Sequence, residues 1–427
     1  MLTTDRNKFV SETGPGTPMG TLFRRYWIPF LLSEEVAEPD GPPVRVKLLS
    51  EPMIAFRDSN GNIGLVEEFC AHRRVSLWFG RNEEGGLRCP YHGWKYDFQG
   101  NCLEVPSEPA ESGYAQSIKL TSYPCVEKGG IVWTYMGPPE EQPPEPAFEW
   151  TTVPENQRYH TKRWEEANYL QALEGGIDSS HVAFLHSGEL RSDPLHHRSK
   201  GSDYHLADLA PKFEVIESSC GLHIGVRRNA EDEQYYWRIT PWIMPWYTIV
   251  PPYGDNPLNG HAWVPIDDDN CFAWTFSYHP SRPLNELELG VMTKGGGLHV
   301  DLIPGTYRPS INKANDYMMD REAQKRRESY SGVKGIAMQD ASLQESMGTI
   351  CDRTQENLVS TDNGIIMARN VLLKSARGLE KGKRPPGLDE ETQAIRSASF
   401  LLPRDIAFSD APDEPLKVKK GVPHTSI

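Results

Sequence analysis

The chain has 427 residues, of which 38% are hydrophobic and 24% charged, a composition typical of globular domains. Lysine and arginine number 45 against 59 acidic residues, so the net charge is −14 and nucleic acid is not an expected partner. No apolar run approaches the roughly 18 residues needed to cross a bilayer, and no signal-peptide pattern is present, so we expect a cytoplasmic protein without a membrane segment. The seven cysteines are irregularly spaced and predict no disulfide framework.

The first half of the chain predicts one small domain. Residues 1–26 favour a helical N-terminal segment, and residues 27–147 contain short β-like runs separated by glycine, proline and asparagine. A stretch at 137–147 is rich in proline and glutamate, which supports neither a helix nor a central strand. We therefore expect an all-β domain that ends there.

The remainder, residues 148–427, predicts a second domain with a long C-terminal tail. Its composition favours helix at 164–187, an antiparallel sheet over 212–280, and further helices at 311–330 and 352–377. The predicted fold class is α+β, with the sheet flanked by helices.

Two matched pairs of metal ligands stand in the first domain. Cys70-Ala-His72 is followed, after 16 residues, by Cys89-Pro-Tyr-His92-Gly-Trp94. Two thiolates on one iron and two imidazoles on the other are the ligands of a [2Fe–2S] cluster with a raised reduction potential. A structural zinc site is the alternative, but zinc sites usually pair Cys with Cys and His with His, and zinc does not explain the Gly-Trp that follows.

A second group of ligand-forming residues lies in one short segment of the second domain. Glu174, Asp178, His181 and His186 fall within 13 residues, and two histidines with a carboxylate can form a facial triad that leaves positions open on Fe(II). On a regular helix the two histidines would lie about 140° apart. We therefore predict a π-bulge or a helix end between them.

Both motifs resemble those of Rieske-type ring-hydroxylating oxygenases. The resemblance implies that His181 and His186 bind a mononuclear Fe(II), and that Asp178 sits between the two metal centres. In this family the third ligand is a carboxylate from a C-terminal helix. Asp352 and Asp362 are the candidates, and we prefer Asp362 because a helix-like run follows it directly.

The whole chain, through GPGTPMG, RRYWIP, YHGWKYD and STDNGII, resembles the phthalate dioxygenase branch of this family. The resemblance implies a homotrimer or a hexamer of stacked trimers, supplied with electrons from NADH or NADPH by a separate flavin and iron–sulfur reductase. It implies O₂ as co-substrate and cis-dihydroxylation of a phthalate-like aromatic carboxylic acid. The same branch contains aryl-ether O-demethylases, which remain an alternative.

An aromatic carboxylate substrate requires cationic donors near the iron. Arg238 is the first candidate, and its side chain should share a strand face with Thr240. Because Arg227 and Arg228 are neighbours on a predicted strand, their side chains must point to opposite faces of the sheet, and one of them can enter the substrate pocket. Lys212 is a weaker candidate.

Ser179, next to Asp178, is a candidate hydroxyl donor to the substrate, although serines in such turns usually cap backbone groups. His196 and His197 lie in a polar loop and are predicted to be solvated.

Two functions from other classes compete with an oxygenase. A Rieske electron carrier without oxygen chemistry would hold two irons per chain instead of three, and a zinc-stabilised binding module would be colourless. The His181 and His186 pair argues against the carrier, because it gives the electrons a destination.

Overall fold

The structure is a computed structural model that describes residues 1–195 and 199–427. His196 and His197, for which we predicted solvation, lie outside the described residues. The chain divides into two compact units, a smaller one of residues 14–16 and 23–146 and a larger one of residues 1–13, 17–22 and 147–427. The division in the linker therefore falls between residues 146 and 147, and most of the N-terminal segment belongs to the larger unit.

Eleven short strands form the smaller unit. They are β1 Trp27–Leu32, β2 Val44–Leu48, β3 Glu51–Arg57, β4 Ile63–Glu67, β5 Arg81–Glu83, β6 Gly86–Arg88, β7 Lys95–Tyr96, β8 Cys102–Glu104, β9 Ser122–Tyr123, β10 Cys125–Lys128 and β11 Ile131–Tyr135. They pair into antiparallel sheets of order β1-β11-β10, β2-β3-β4-β9 and β5-β6-β7-β8. Alternating apolar residues between turns explain this all-β architecture.

One antiparallel sheet organises the larger unit. Its strands are β12 Arg158–Glu165, β13 Lys212–Glu217, β14 Gly221–Asn229, β15 Gln234–Ile243, β16 Tyr247–Val250, β17 Leu258–Pro265, β18 Cys271–Tyr278 and β19 Ala398–Pro403. The order is β12-β18-β17-β16-β15-β14-β13, and β19 pairs with β15. The α+β prediction is confirmed, while the region predicted as helix from residue 164 begins with the end of β12.

The helices of the chain are mostly short. They are α1 Thr4–Ser11, α2 Pro18–Phe23, α3 Glu149–Thr152, α4 Tyr169–Ile177, α5 Val182–Leu185, α6 Ser187–Ser192, α7 Lys200–Ala207, α8 Glu286–Lys294, α9 Arg321–Lys325, α10 Ile336–Ser346, α11 Asn363–Leu379 and α12 Glu390–Gln393. Across the described parts of the chain, no helix combines the length and apolarity needed to cross a lipid bilayer.

Close packing of α4 against the sheet positions the second motif. A Cβ atom added to Gly176 would lie 2.0 Å from the ring of Trp263 on β17, and one added to Gly175 would lie 2.3 Å from the amide of Gln344 on α10. Only glycine leaves room for these approaches. The pair therefore brings α4 into contact with both the sheet and α10.

Candidate functional site

Two loops of the smaller unit present the Cys-His pairs. In the first, the Cys70 N–H donates to Val75 O at 2.9 Å, and in the second the Cys89 N–H donates to Trp94 O at 2.8 Å. Gly93 has a φ of +77°, which a residue with a side chain adopts only with strain. Each loop is thus a tight turn closed by its own backbone.

The four predicted cluster residues come together between these loops. The rings of His72 and His92 are 4.5 Å apart, and Trp94 stacks on His72 at 4.7 Å with an interplanar angle of 6°. Cys70 and Cys89 are 1% and 2% exposed, whereas both imidazoles are exposed. The Gly-Trp of the motif is explained: glycine permits the turn and tryptophan supports an imidazole.

This arrangement fits a Rieske cluster. Burial and the neighbouring Cys70 thiol raise the pKa of Cys89, so a thiolate here needs a compensating cation, which iron supplies. Buried sulfur ligands with exposed imidazoles would leave the histidine-bound iron nearest the surface, where electrons enter and leave.

Helix α4 ends before the two histidines, and the short helix α5 lies between them and ends directly before His186. Asp178 is the C-terminal cap of α4, His181 is the N-terminal cap of α5, and His186 lies between α5 and α6. The predicted distortion is therefore a helix break. It allows two imidazoles five residues apart to face one point.

A carboxylate completes this group, and it belongs to Asp340 on α10. Asp340 Oδ1 lies 3.1 Å from His186 Nε2 and 3.5 Å from His181 Nε2, and the two Nε2 atoms are 3.3 Å apart. Two imidazoles and one carboxylate converging in this way fit the facial triad of a mononuclear iron site.

The prediction that Asp362 is the third ligand is wrong. Its Oδ2 accepts from the N–H of Val359 at 2.7 Å at the start of α11, and among the described residues the convergent group contains Asp340 in its place. Asp352 caps the turn at Thr354. Both aspartates satisfy local backbone donors, as short polar side chains before helices and turns commonly do.

The second nitrogen of each imidazole is held by a neighbour. The Nδ1–H of His181 donates to Asp178 Oδ2 at 3.2 Å, and that of His186 donates to Gln339 Oε1 at 2.7 Å. Gln339 in turn donates to Glu189 Oε1 at 2.7 Å. Both Nε2 atoms are therefore free to bind a metal. Gln339 and Asp340 were not predicted from the sequence, because the helix-favouring composition around them does not mark either residue as part of a metal site.

Charge in this group favours a cation. Burial alone would lower the pKa of His181, but the Asp178 and Asp340 carboxylates raise it to about 10. Burial alone would raise the pKa of Asp340, but the two imidazoles hold it well below its usual range. Without a metal the group retains a proton that iron would displace.

Glu174, the first residue of the second motif, has a structural role. It is buried, and its carboxylate accepts from Arg369 Nε at 2.6 Å and from Arg353 Nε at 3.2 Å. The motif's Glu174 therefore anchors α4 and lies outside the metal group.

A cavity of about 140 Å³ opens between the sheet and the helices that carry the metal group. Arg238 lines it together with Thr240, as their shared strand face predicts. Its Nη2 donates to the carbonyl of Pro251 at 2.5 Å, and its guanidinium lies over the Tyr253 ring, 4.4 Å from the centroid. The cation is thus held rigidly in the cavity wall.

Among the described residues, the lining of the cavity does not include three other predicted substrate-binding residues: Arg227, Arg228 and Lys212. Arg228 is buried and donates to the carbonyl of Ser179 at 2.9 Å, so it supports the wall from behind. Arg227 lies over Tyr235, 4.0 Å from the ring centroid, and Lys212 is exposed. The prediction that Arg227 or Arg228 enters the pocket is wrong, whereas Ser179 does line it.

Comparison with known proteins covers almost the whole chain. Residues 26–124 match the family model described as Rieske [2Fe-2S] domain, and residues 134–403 match the model described as LigXa C-terminal domain like. The oxygenase subunit of 3-chlorobenzoate-3,4-dioxygenase from Comamonas testosteroni is 38% identical over 96% of this chain and 98% of its own. The oxygenase subunit of phthalate 4,5-dioxygenase from Pseudomonas putida is 36% identical over 96% and 94%.

Solved structures share the fold. A crystal structure of dicamba monooxygenase bound to dicamba superposes with a TM-score of 0.56 at 16% identity, covering 84% of this chain and 99% of the other.

Proposed function

Because the chain belongs to the Rieske non-haem iron oxygenases, we propose that it is a terminal oxygenase that hydroxylates an aromatic carboxylic acid, as in phthalate-like cis-dihydroxylation. One observation carries this proposal. The cavity that contains His181, His186 and Asp340 also contains the buried guanidinium of Arg238, so a carboxylate can be held within reach of the metal group.

Each residue of the candidate site has a distinct task in this scheme. When bound, the cluster supplies electrons and the mononuclear iron activates O₂ for transfer to the ring. Asp178 and Gln339 hold the imidazoles of His181 and His186 with Nε2 facing the metal. Arg238 orients the acid, and apolar residues of the cavity surround its ring and exclude water: Ile224, Val226, Val250, Trp263 and Leu298.

We also propose that a separate reductase transfers electrons from NADH or NADPH to the cluster. We further propose a homotrimer, alone or stacked as a hexamer, in which Asp178 joins His181 to the neighbouring subunit's His92. A single carboxylate can accept hydrogen bonds from two imidazoles at once, which supports this role.

Product analysis tests the proposal. The enzyme with its reductase and NADH is incubated with phthalate isomers, benzoate and methoxylated benzoates under ¹⁸O₂, and products are identified by mass spectrometry. A cis-dihydrodiol that contains two ¹⁸O atoms supports ring dihydroxylation. Release of formaldehyde from a methoxylated acid would instead support the O-demethylase, and absence of any oxygenated product would contradict both.

An iron count separates the oxygenase from a Rieske electron carrier. The oxygenase should bind three irons per chain, because the cluster takes two and the group of His181, His186 and Asp340 takes one. A stoichiometry of two irons with a normal cluster spectrum would favour the carrier.

A further inference from the structure

A second cation, Arg163, lines the same cavity and has no role in the function proposed above. It lies on β12 and is 5% exposed. Its Nη2 donates to Glu165 Oε2 at 3.0 Å. Within the described part of the chain, its buried Nε has no hydrogen-bond partner, and neither does Glu165 Oε1.

The unpaired Nε of Arg163 points to a ligand, because leaving a buried charged group without hydrogen-bond acceptors costs stability. Glu165 is a weak partner, since burial raises its pKa to about 7 in spite of the neighbouring guanidinium. The wall of the cavity thus contains a guanidinium whose hydrogen-bonding capacity is only partly used by the described residues around it.

Strand register places Arg163 far from Arg238, the residue proposed to bind the substrate carboxylate. Arg163 lies two strands from Trp263 in the same row of the sheet, whereas Arg238 donates to the carbonyl of Pro251, next to the residue paired with Asn259. Trp263 and Asn259 are four residues apart on β17, and β12 is three strands from β16, which Pro251 directly follows. The two cation sites are therefore separated by roughly 13 Å along the strands and roughly 14 Å across them. The side chains of both arginines then reach into one cavity from opposite corners.

We propose that Arg163 binds a second carboxylate of the substrate, so that the preferred substrates are aromatic diacids whose carboxylates are meta or para to each other. This inference rests on the proposed function. In an ortho diacid both carboxylates leave adjacent ring carbons and reach one corner only. A meta or para diacid spans the ring and can satisfy Arg238 and Arg163 at once.

The test measures binding to the iron-loaded enzyme by anaerobic calorimetry, without reductase. The ligands are terephthalate, isophthalate, phthalate and benzoate. Wild type should bind terephthalate or isophthalate about 10- to 100-fold more tightly than benzoate, as expected for an added hydrogen bond between charged groups. The double variant Arg163→Met/Glu165→Gln avoids leaving a buried carboxylate unpaired. It should lose that preference and keep its affinity for benzoate within about twofold.

The matched control is Arg308→Met/Glu166→Gln, which removes another arginine–glutamate pair, 3.1 Å apart and partly exposed, that does not line the cavity among its described residues. It should retain the wild-type preference. If wild type binds all four acids equally, or if the preference survives loss of Arg163, the assignment of Arg163 is overturned. The proposed function stands in both cases as long as benzoate still binds. If none of the acids binds, both the proposed function and this assignment are overturned.

Discussion

Asp340 Oδ1 lies 3.1 Å from His186 Nε2, although Asp340 belongs to α10 and His186 lies between α5 and α6, far away in the sequence. Asp340→Ala should therefore remove the mononuclear iron and reduce the content from three irons per chain to two, with an unchanged cluster spectrum. Asp362→Ala is the control, because its carboxylate accepts from the Val359 N–H at the start of α11 and, among the described residues, is not part of the metal group. Elemental analysis with visible spectroscopy measures both. Retention of the third iron in the Asp340 variant would contradict the assignment.

The cluster residues predict a colour test. Cys70→Ser and His92→Ala should abolish the red-brown absorbance, because each removes one of four ligands. Cys125→Ser is the matched control, since this half-buried cysteine lies on β10 outside the two loops. A variant of Cys70 or His92 with full absorbance, or a wild type that contains zinc, would contradict the cluster.

Substrate affinity should depend on Arg238. Arg238→Gln should weaken binding of an aromatic carboxylate by about 1.5–3 kcal/mol, the usual contribution of a hydrogen bond to a charged group. Iron content should not change. Lys212→Gln, at an exposed position, should bind like wild type. Calorimetric titration of the anaerobic enzyme distinguishes the two, and equal dissociation constants would exclude Arg238 from substrate binding.

The Asp178 carboxylate is expected to connect the metal centres. Asp178→Asn keeps the size of the side chain but removes its charge and one acceptor oxygen, so both centres should load and the cluster should still reduce. Electron transfer to the mononuclear iron should then slow by at least about tenfold. Stopped-flow reoxidation of the reduced cluster, with substrate and O₂ present, measures this rate. Reoxidation at the wild-type rate would show that electrons take another route.

Acid should destabilise the larger unit through buried histidines such as His299. Burial, with nearby His261, His160 and Arg163, lowers the pKa of His299 to about 3. The unfolded chain binds a proton at this residue near pH 6.5, but the folded chain does not, so stability present above pH 6.5 is lost as pH falls toward 3.

Replacement of His299 by glutamine should remove this dependence. Between pH 6.5 and 5.5, the variant should lose about 1 kcal/mol less unfolding free energy than wild type. Urea denaturation across this range measures the difference. Parallel pH profiles for the two proteins would indicate that His299 has the same pKa in the folded and unfolded chains.

The sequence by itself determined those parts of the site whose residues are neighbours in the chain. Cys70 and His72 share one turn, and Cys89 and His92 share another, so their spacing alone predicts how they converge. His181 is likewise close to its partner in sequence, and the angle between positions on a helix correctly predicted a break. Local geometry follows from a few backbone torsions, which a motif specifies.

Only the tertiary structure decided which distant residues join them. Asp362 stands directly before a helix, as expected of the carboxylate ligand from the family resemblance, yet its carboxylate accepts a hydrogen bond from the adjacent backbone. Asp340 reaches the imidazoles instead, because Gly175 lets α10 pack closely on α4. Likewise, strand alternation placed Arg238 correctly but gave no hint that Arg163 lines the same cavity. Such contacts depend on sheet order and on packing between elements, which no local spacing encodes.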